Sequence, residues 1–510
     1  MSRELRIGAR RSPLARIQAQ LAGAALLARD PSLRIRYHFL EASGDRSSEP
    51  SAALVTARGG FTEDLGRLLD TGAIDLAVHS WKDLPLPART ATGVFASLPR
   101  ADARDVLLIR RDALEACARV RGLTILSSSA RRRLHLERFL GWALPLRDLP
   151  VRFAPVRGDI GTRLRKLMRG DGDALVVAKA AIDRLLEADP GVLQAAGVLE
   201  SAQLCEAQRG IRDALDACRV LVLPLQSCPA APAQGALALE ARRDSRWLAL
   251  LAEVNHADTF ETVGAERACA AEIGEDEPLG ITRLRLDWGD VEFTRGIRAG
   301  LPFDEQKVYR RGPGLPPPAS AASLWRGDLD DPRSVERVAL PGAPRSFDAR
   351  HGLLVARADA LPRGSSVGEF TPMWTAGLDT WRKLADAGHW VVGSDESLGE
   401  TGARAIRHWF PQAHQWLKLS HAQGHDAGIA GFVPTYRIER PRPQPVDGRS
   451  HFFWRSGSQL RDYLAAYPGL ERAWHGCGPG NTLAIARTLL PPHRLRPFLD
   501  GAQFRAELLP

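Results

Sequence analysis

The chain is predicted to be an α/β protein built from more than one module, and three observations predict it. Strand and helix signals alternate through the first half, and the same alternation resumes after residue 346. A stretch rich in proline and glycine separates the two regions.

The elements come in this order. RIGA (6–9) reads as a strand, and Ser12-Pro13 supplies an N-cap and an N1 proline for a helix to about Ala28. LRIRYHFLEA (33–42) is a second strand, and FTEDLGRLLDTG is a helix ending at Gly72. AIDLAV (73–78) is a third strand, short and apolar enough to be buried on both faces. The pattern restarts after Arg100 with DVLLI (105–109), TIL (124–126) and VRFAPV (151–156), the last two each leading into a helix. ALVVA (174–178) then precedes the helical AAIDRLLEA, which makes two lobes with a cleft between them. The Ala-, Pro- and Gln-rich segment near 200–240 carries the chain back into the first lobe, ahead of a smaller domain near 243–345. GPGLPPPASAAS and PGAPRS mark 312–346 as a linker. Beyond it LLVARA (353–358), HWVVGS (389–394), FVPTYRI (432–438) and HFFWRS (451–456) read as strands of a second α/β module.

Composition narrows the class. At 510 residues the chain exceeds one core, and about two to four domains are expected. Hydrophobic content of 44% and charged content of 25% are those of a globular protein. No uninterrupted apolar run reaches membrane-spanning length, and the N-terminus lacks an apolar signal region. Six cysteines (117, 205, 218, 228, 269, 477) are scattered without a CxxC pair. That pattern argues against a disulfide framework or a metal site and for the reducing cytoplasm. The net charge of +9 suits an anionic partner without naming one.

The most informative stretch is Ala77-Val78-His79-Ser80-Trp81-Lys82-Asp83-Leu84-Pro85. A buried strand ends there in a polar cluster, and the proline stops it continuing. A carboxylate beside a cation at a sheet rim can hold a developing positive charge or move a proton. Three basic motifs come after strands in the same way: Arg10-Arg11-Ser12-Pro13, Ser127-Ser128-Ser129-Ala130-Arg131-Arg132-Arg133, and Arg157-Gly158-Asp159-Ile160-Gly161-Thr162-Arg163. Each puts hydroxyl, amide or guanidinium donors at a helix start, where an anion is favoured. Any one of them also serves as a helix cap with a solvated arginine, but together they suit a ligand bearing many carboxylates. Nucleic acid is the competing partner for such arginines, and no aromatic interleaving or reader motif supports it.

RRSPLA, GGFTEDL, AVHSWKDLP, DARD, SSSARRR, RGDIGTRLRKL, AQGALALEAR and NHADT…AERA, in this order from about residue 4 to 285, closely resemble hydroxymethylbilane synthase, also called porphobilinogen deaminase. The resemblance implies two periplasmic-binding-protein-like lobes plus a small α+β third domain. These would be domain 1 at 1–100 with about 205–242, domain 2 at 101–204 and domain 3 at 243–311. It implies head-to-tail joining of four porphobilinogen units with ammonia release, on a dipyrromethane cofactor. Asp83 would be the catalytic carboxylate. Arg10, Ser12, Lys82, Arg131, Arg132, Arg157, Arg163 and Arg184 would bind substrate or cofactor carboxylates, with Ser80, Ser128 and Ser129 adding hydroxyls. Arg58 stands where the family usually has a loop lysine, and Phe61 matches an aromatic covering the site.

The chain departs from the family at the cofactor anchor. A cysteine in a GGCQVPIG-like loop is replaced by Gly274-Glu275-Asp276-Glu277-Pro278-Leu279-Gly280, with Glu275 at or near its place. Cys269, six residues earlier, is the only thiol nearby and reads first as a core helix residue. Asp159 replaces an asparagine, and Leu54 replaces a lysine. Covalent attachment is therefore not expected.

The C-terminal module, 347–510, resembles uroporphyrinogen-III synthase more faintly, through HFFWRSGSQLRDYL and WHGCGPGNTLAIARTLL. The resemblance makes Ser456 and Thr482 candidate contacts for substrate carboxylates, although both residues also suit helix capping. The reading is a monomeric cytoplasmic enzyme of porphyrin and heme biosynthesis, acting on porphobilinogen and a linear tetrapyrrole, and bifunctional if the second module closes the ring. No membrane or nucleic-acid partner is expected. The alternative is a catalytically silent homologue that binds a linear tetrapyrrole or another polyanion.

Overall fold

The computed structural model describes residues 3–40, 60–86, 91–120, 122–146, 149–274, 277–325, 335–400, 402–424, 428, 431–439 and 443–509. Arg58, Leu54, Glu275 and Asp276 lie outside the described residues, and Phe61 is described only as backbone in the helix Gly60–Asp70. Two compact units result. The first is Met1–Phe139 with Asp148–Leu286 and Val291–Lys307, and the second is Leu140–Arg147 with Asp287–Asp290 and Val308–Pro510.

The first unit contains two five-stranded sheets of one plan. In the first, the order is Arg34–Leu40, Glu4–Arg10, Leu76–Ser80, Leu237–Arg242, Thr92–Ala96. The first three strands are parallel, and Leu237–Arg242 runs antiparallel to both of its neighbours. In the second, the order is Val151–Ala154, Leu123–Leu126, Ala174–Ala178, Asp105–Arg110, Cys218–Val222. Again three parallel strands are succeeded by one, Asp105–Arg110, that is antiparallel to both neighbours. The chain passes from the first sheet to the second between residues 96 and 105 and returns between 222 and 237. The two crossings meet where the Ala101 amide donates to the Gly235 carbonyl at 3.2 Å.

Local chemistry makes the elements. Ala174–Ala178 is buried at every position, which is why its sequence lacks polar alternation. Ser12 caps the helix Pro13–Arg29 by accepting from the Ala15 amide, and Asp159 caps Ile160–Met168 by accepting from Thr162. The helix Ala257–Ile273 packs on the strand Gly280–Leu286, the first of a three-stranded sheet with Gly289–Arg298 and Leu301–Arg310. That is an α+β arrangement.

The second unit holds two larger sheets besides the short pair Ser346–Phe347 with Ser366–Val367. One is ordered Glu336–Ala339, Gly431–Glu439, Gln415–His421, His351–Val355, Met373–Thr375, Gly393–Ser394, and only Glu336–Ala339 is antiparallel to its neighbour. The other is a parallel sheet of Leu324–Trp325, His451–Trp454, Trp474–Cys477 and Leu495–Pro497. The mixed α/β class expected of the whole chain is what is found.

Two local expectations are corrected. The 312–346 segment is no plain tether, because Leu324–Trp325 is a buried strand and Glu336–Ala339 an edge strand. Trp325 lies 5.0 Å from the Trp454 ring and 4.9 Å from that of Tyr463, contacts worth more than the polar stretch around it suggests. HWVVGS forms a strand only at Gly393–Ser394. Among the described residues, no helix is long and apolar enough to cross a membrane.

Burial sets the acid limit of this fold. His475 is wholly buried, accepts from Trp454 Nε1 at 3.0 Å and meets the Leu470 carbonyl at 3.0 Å, so its proton sits on Nε2. Burial lowers its pKa to about 4, and burial reinforced by Arg131 lowers that of His135 to about 3. An unfolded imidazole takes its proton near 6.5 while these refuse it, so stability is lost as pH falls below that value. Each histidine contributes a slope of up to ~1.4 kcal/mol per pH unit. Urea unfolding followed from pH 7 to 5 should show the loss in both units, and His475→Gln should flatten it for the second. An unchanged slope in that variant would mean His475 is not neutral in the fold.

Candidate active site

The strand Leu76–Ser80 delivers Trp81–Asp83 as a single tight turn. Trp81 is its anchor. The ring is buried against Ala233, Ala236, Ala238 and Val263, and Phe260 lies 5.3 Å away. The Trp81 amide donates to the Ala236 carbonyl at 3.0 Å. Arg267 donates to the carbonyls of Trp81, Leu84 and Pro85 at 3.3, 3.0 and 2.8 Å. The backbone on both sides of Lys82-Asp83 is thereby held in place, and Asp83 is left exposed.

Beneath this turn lies a buried polar network. Asp105, the first residue of its strand, accepts from Arg131 Nη2 and Arg132 Nη2, both at 2.7 Å, and from Gln234 Nε2 at 2.9 Å. Lys82 Nζ donates to Gln234 Oε1 at 3.2 Å. Burial works against the Asp105 charge, but the Arg132 and Arg131 guanidiniums outweigh it and hold the carboxyl well below the usual range. For Lys82, burial lowers the pKa to about 8; Arg132 and Arg131 push the same way, against Asp83 and Asp105. The half-buried Arg163 is lowered by burial and by Arg132, and raised by Asp83 and Asp159.

Lys82, Asp83, Arg131, Arg132 and Arg163 therefore share one electrostatic neighbourhood. Within it their availability differs. Arg131 is buried, with its donors on Asp105 and on the Pro229 carbonyl, both at 2.7 Å. Arg132 donates to both Asp105 oxygens and to the Val176 carbonyl at 3.1 Å. Arg184 holds the Gly235 carbonyl at 2.7 Å, and burial lowers its pKa to about 10.

The hydroxyls are mostly engaged. Ser12 is a cap, and Ser80 accepts from Gln18 Nε2 at 3.0 Å. Ser128 exchanges two bonds with the Val156 backbone, and Ser129 accepts from the Arg132 amide at 3.4 Å. Arg10 is half-buried at the end of Glu4–Arg10, and Arg157 is exposed. Ser456 and Thr482 belong to the second unit, where Ser456 caps the helix Gly457–Ala466 and Thr482 is the second residue of Asn481–Leu489.

Cys269 is half-buried among Leu86, Ala270, Ile273, Leu279, Ile281 and Phe303, and burial raises its thiol pKa. That environment disfavours the thiolate. Sequence reasoning missed Asp105, Gln234 and Arg267 as site residues. Asp105 and Gln234 lay in plain view within DARD and AQG, but nothing local marks a side chain whose partners are 26 to 152 residues away.

Comparison with known proteins agrees with this region. Residues 5–249 match the model of "Porphobilinogen deaminase, dipyromethane cofactor binding domain". Porphobilinogen deaminase of Mycobacterium tuberculosis (strain ATCC 25618 / H37Rv) is 39% identical over 279 residues, covering 54% of this chain and 77% of the relative. That of Mycobacterium marinum is 37% identical over 279 residues, covering 76% of the relative. Among solved structures, a probable amino-acid ABC transporter extracellular-binding protein of Bacillus subtilis covers 52% of this chain and 97% of its own, at TM-score 0.25 and 10% identity. That likeness is too faint to bear on the fold. With the fixed Lys82-Asp83 turn, the cationic neighbourhood around it and relatives matched over three-quarters of their length, the chain belongs to the porphobilinogen deaminase family.

Proposed function

We propose that the first unit joins four porphobilinogen units head to tail into hydroxymethylbilane, releasing one ammonia at each step. The observation that supports this most is the exposed Asp83 on a turn clamped by Arg267 and Trp81, amid Lys82, Arg132 and Arg163. When the substrate C–N bond breaks, its electron pair leaves with nitrogen and positive charge develops on the pyrrole. At ~4 Å, a fixed carboxylate stabilises a unit charge by about 4 kcal/mol at an effective dielectric of 20, against about 1 in water. Pre-setting the turn avoids reorganisation at that moment. Asp83 is also the group to hold pyrrole N–H protons. Lys82, Arg132 and Arg163, with Arg10 and Arg157, are the cations offered to acetate and propionate groups.

The same cations suit a dipyrromethane, which carries such carboxylates. Once bound, that group supplies the pyrrole carbon to which the first substrate is joined. Attachment through sulfur is not supported: Gly274–Gly280 contains no cysteine, and Cys269 sits in an apolar cluster with a raised thiol pKa. The primer is therefore held by charge and hydrogen bonds.

For the second unit we propose a uroporphyrinogen-III synthase-like role, closing hydroxymethylbilane into a ring. Its four-stranded parallel sheet brings Ser456 and the Gly478-Pro479-Gly480-Asn481 turn to the carboxyl ends of neighbouring strands, where open α/β sheets bind ligands. The alternative for the chain is a silent binder of linear tetrapyrroles, favoured by the missing anchor cysteine and by the engagement of Arg131 with Asp105.

Asp83→Asn should cut porphobilinogen consumption by about 10²–10³-fold or more with circular dichroism unchanged; near-normal turnover would remove Asp83 from catalysis. Ammonia release by the unaltered protein separates the enzyme from the silent binder. Intact mass should equal that of the bare polypeptide, and a dipyrromethane adduct mapped to Cys269 would restore the covalent mechanism. In a coupled assay, uroporphyrin isomer III should outweigh isomer I if the second unit closes the ring with inversion; isomer I alone would refute that role.

A further inference from the structure

The returning crossing has an unusual backbone. Ala233 has φ of 66° and Gly235 a φ of 88°, so Gln234 is flanked by two left-handed residues. Alanine rarely adopts this conformation, and four surrounding contacts fix it. The Ala233 amide donates to Glu266 Oε2 at 2.8 Å, and Arg100 Nε donates to the Gln234 carbonyl at 2.9 Å. Arg184 holds the Gly235 carbonyl, and the Trp81 amide holds that of Ala236. A side chain at Gly235 would stand 2.4 Å from the Ala101 carbonyl of the other crossing. Strain of this kind persists where a side chain must be aimed.

The aimed side chain is Gln234, which is 1% exposed. Its Nε2 donates to the Ala103 carbonyl at 2.7 Å and to Asp105 Oδ1 at 2.9 Å. Both partners only accept, and Lys82 only donates, so the amide has one satisfactory orientation, with Oε1 toward Lys82. We propose that Gln234 is a positioning residue of the deaminase site, a neutral coupler that transmits the grip of Asp105 to the Lys82 ammonium and holds it beside Asp83. Glutamate there would set a second negative charge against Asp105 and tie Lys82 into a pair. The amide aligns the ammonium and leaves its charge for ligand carboxylates.

The charged groups facing Lys82 are Asp83, Arg132, Asp105 and Arg131. Burial lowers the Lys82 pKa to about 8, and an acceptor 3.2 Å from Nζ stabilises the charged form. Removing the acceptor should move the midpoint down.

This inference rests on the deaminase reading, and two measurements separate them. The first is competitive acylation of the full chain across pH 6–10.5, read at Lys82 by peptide mass spectrometry; it needs no turnover. The unaltered protein should titrate near 8, and Gln234→Leu about one unit lower. The second is porphobilinogen consumption against pH. Its alkaline limb should shift by the same amount, with KM raised about tenfold and kcat changed less. If Gln234→Leu does not fold, Gln234→Asn keeps a donor for Asp105, withdraws the acceptor from Lys82, and should give the same shift. An unchanged Lys82 midpoint in a folded variant, or a midpoint near 10.5 in the unaltered protein, overturns the inference. A protein that consumes no porphobilinogen but shows the expected Lys82 shift refutes the deaminase reading alone.

Discussion

The Asp105 carboxylate is the constraint around which the first unit is arranged. It is 1% exposed, and an isolated charge so placed is not tolerated. The remedy draws three residues from two other parts of the chain: Arg131 and Arg132 from the start of Ala130–Ala143, and Gln234 from the returning crossing. Losing one side of such a buried pair costs ~3–5 kcal/mol, because the partner charge stays behind. The helix start, the crossing and the strand are therefore fixed together. Everything the site offers to a ligand is measured from that point.

A second buried carboxylate does similar work one layer away. Glu266 accepts from Arg100 at 2.6 and 3.0 Å and from the amides of Ala233 and Arg283 at 2.8 and 2.7 Å. It joins both crossings to the helix Ala257–Ile273 and to the strand Gly280–Leu286. The same helix supplies Arg267, which clamps the Lys82-Asp83 turn from outside. The segment Ala257–Leu286 thus bears on the Lys82-Asp83 turn through backbone geometry.

Much of this was legible in the sequence. The strand before His79, the N-cap at Ser12 and the alternation of strands and helices all arise from local pattern. The antiparallel fourth strand of each sheet did not, since Leu237–Arg242 and Asp105–Arg110 look like any buried strand and their sense depends on distant partners. In the second unit, two-residue strands such as Leu324–Trp325 are too short to leave a periodic signal. At the site, the arginines stood out as candidate ligand contacts, while the carboxylate that engages two of them was visible only as part of a motif. Which cation faces a ligand and which faces the protein is a three-dimensional fact.

The second unit has a buried pair of its own, and its consequence concerns strand register. Lys418 lies in the middle of Gln415–His421, 2% exposed, with Nζ on Glu400 Oε2 at 2.5 Å; the other Glu400 oxygen accepts from Asn481. Along that strand Lys418 sits opposite Leu354 and Phe432, between Leu417 and Leu419. Successive side chains face opposite sides of a sheet, so slipping by one residue would drive the ammonium into the other layer, away from its carboxylate. A strand of leucines and tryptophan alone would tolerate that slip. A slipped register would leave both charges buried apart from each other, so the pair favours the observed alignment.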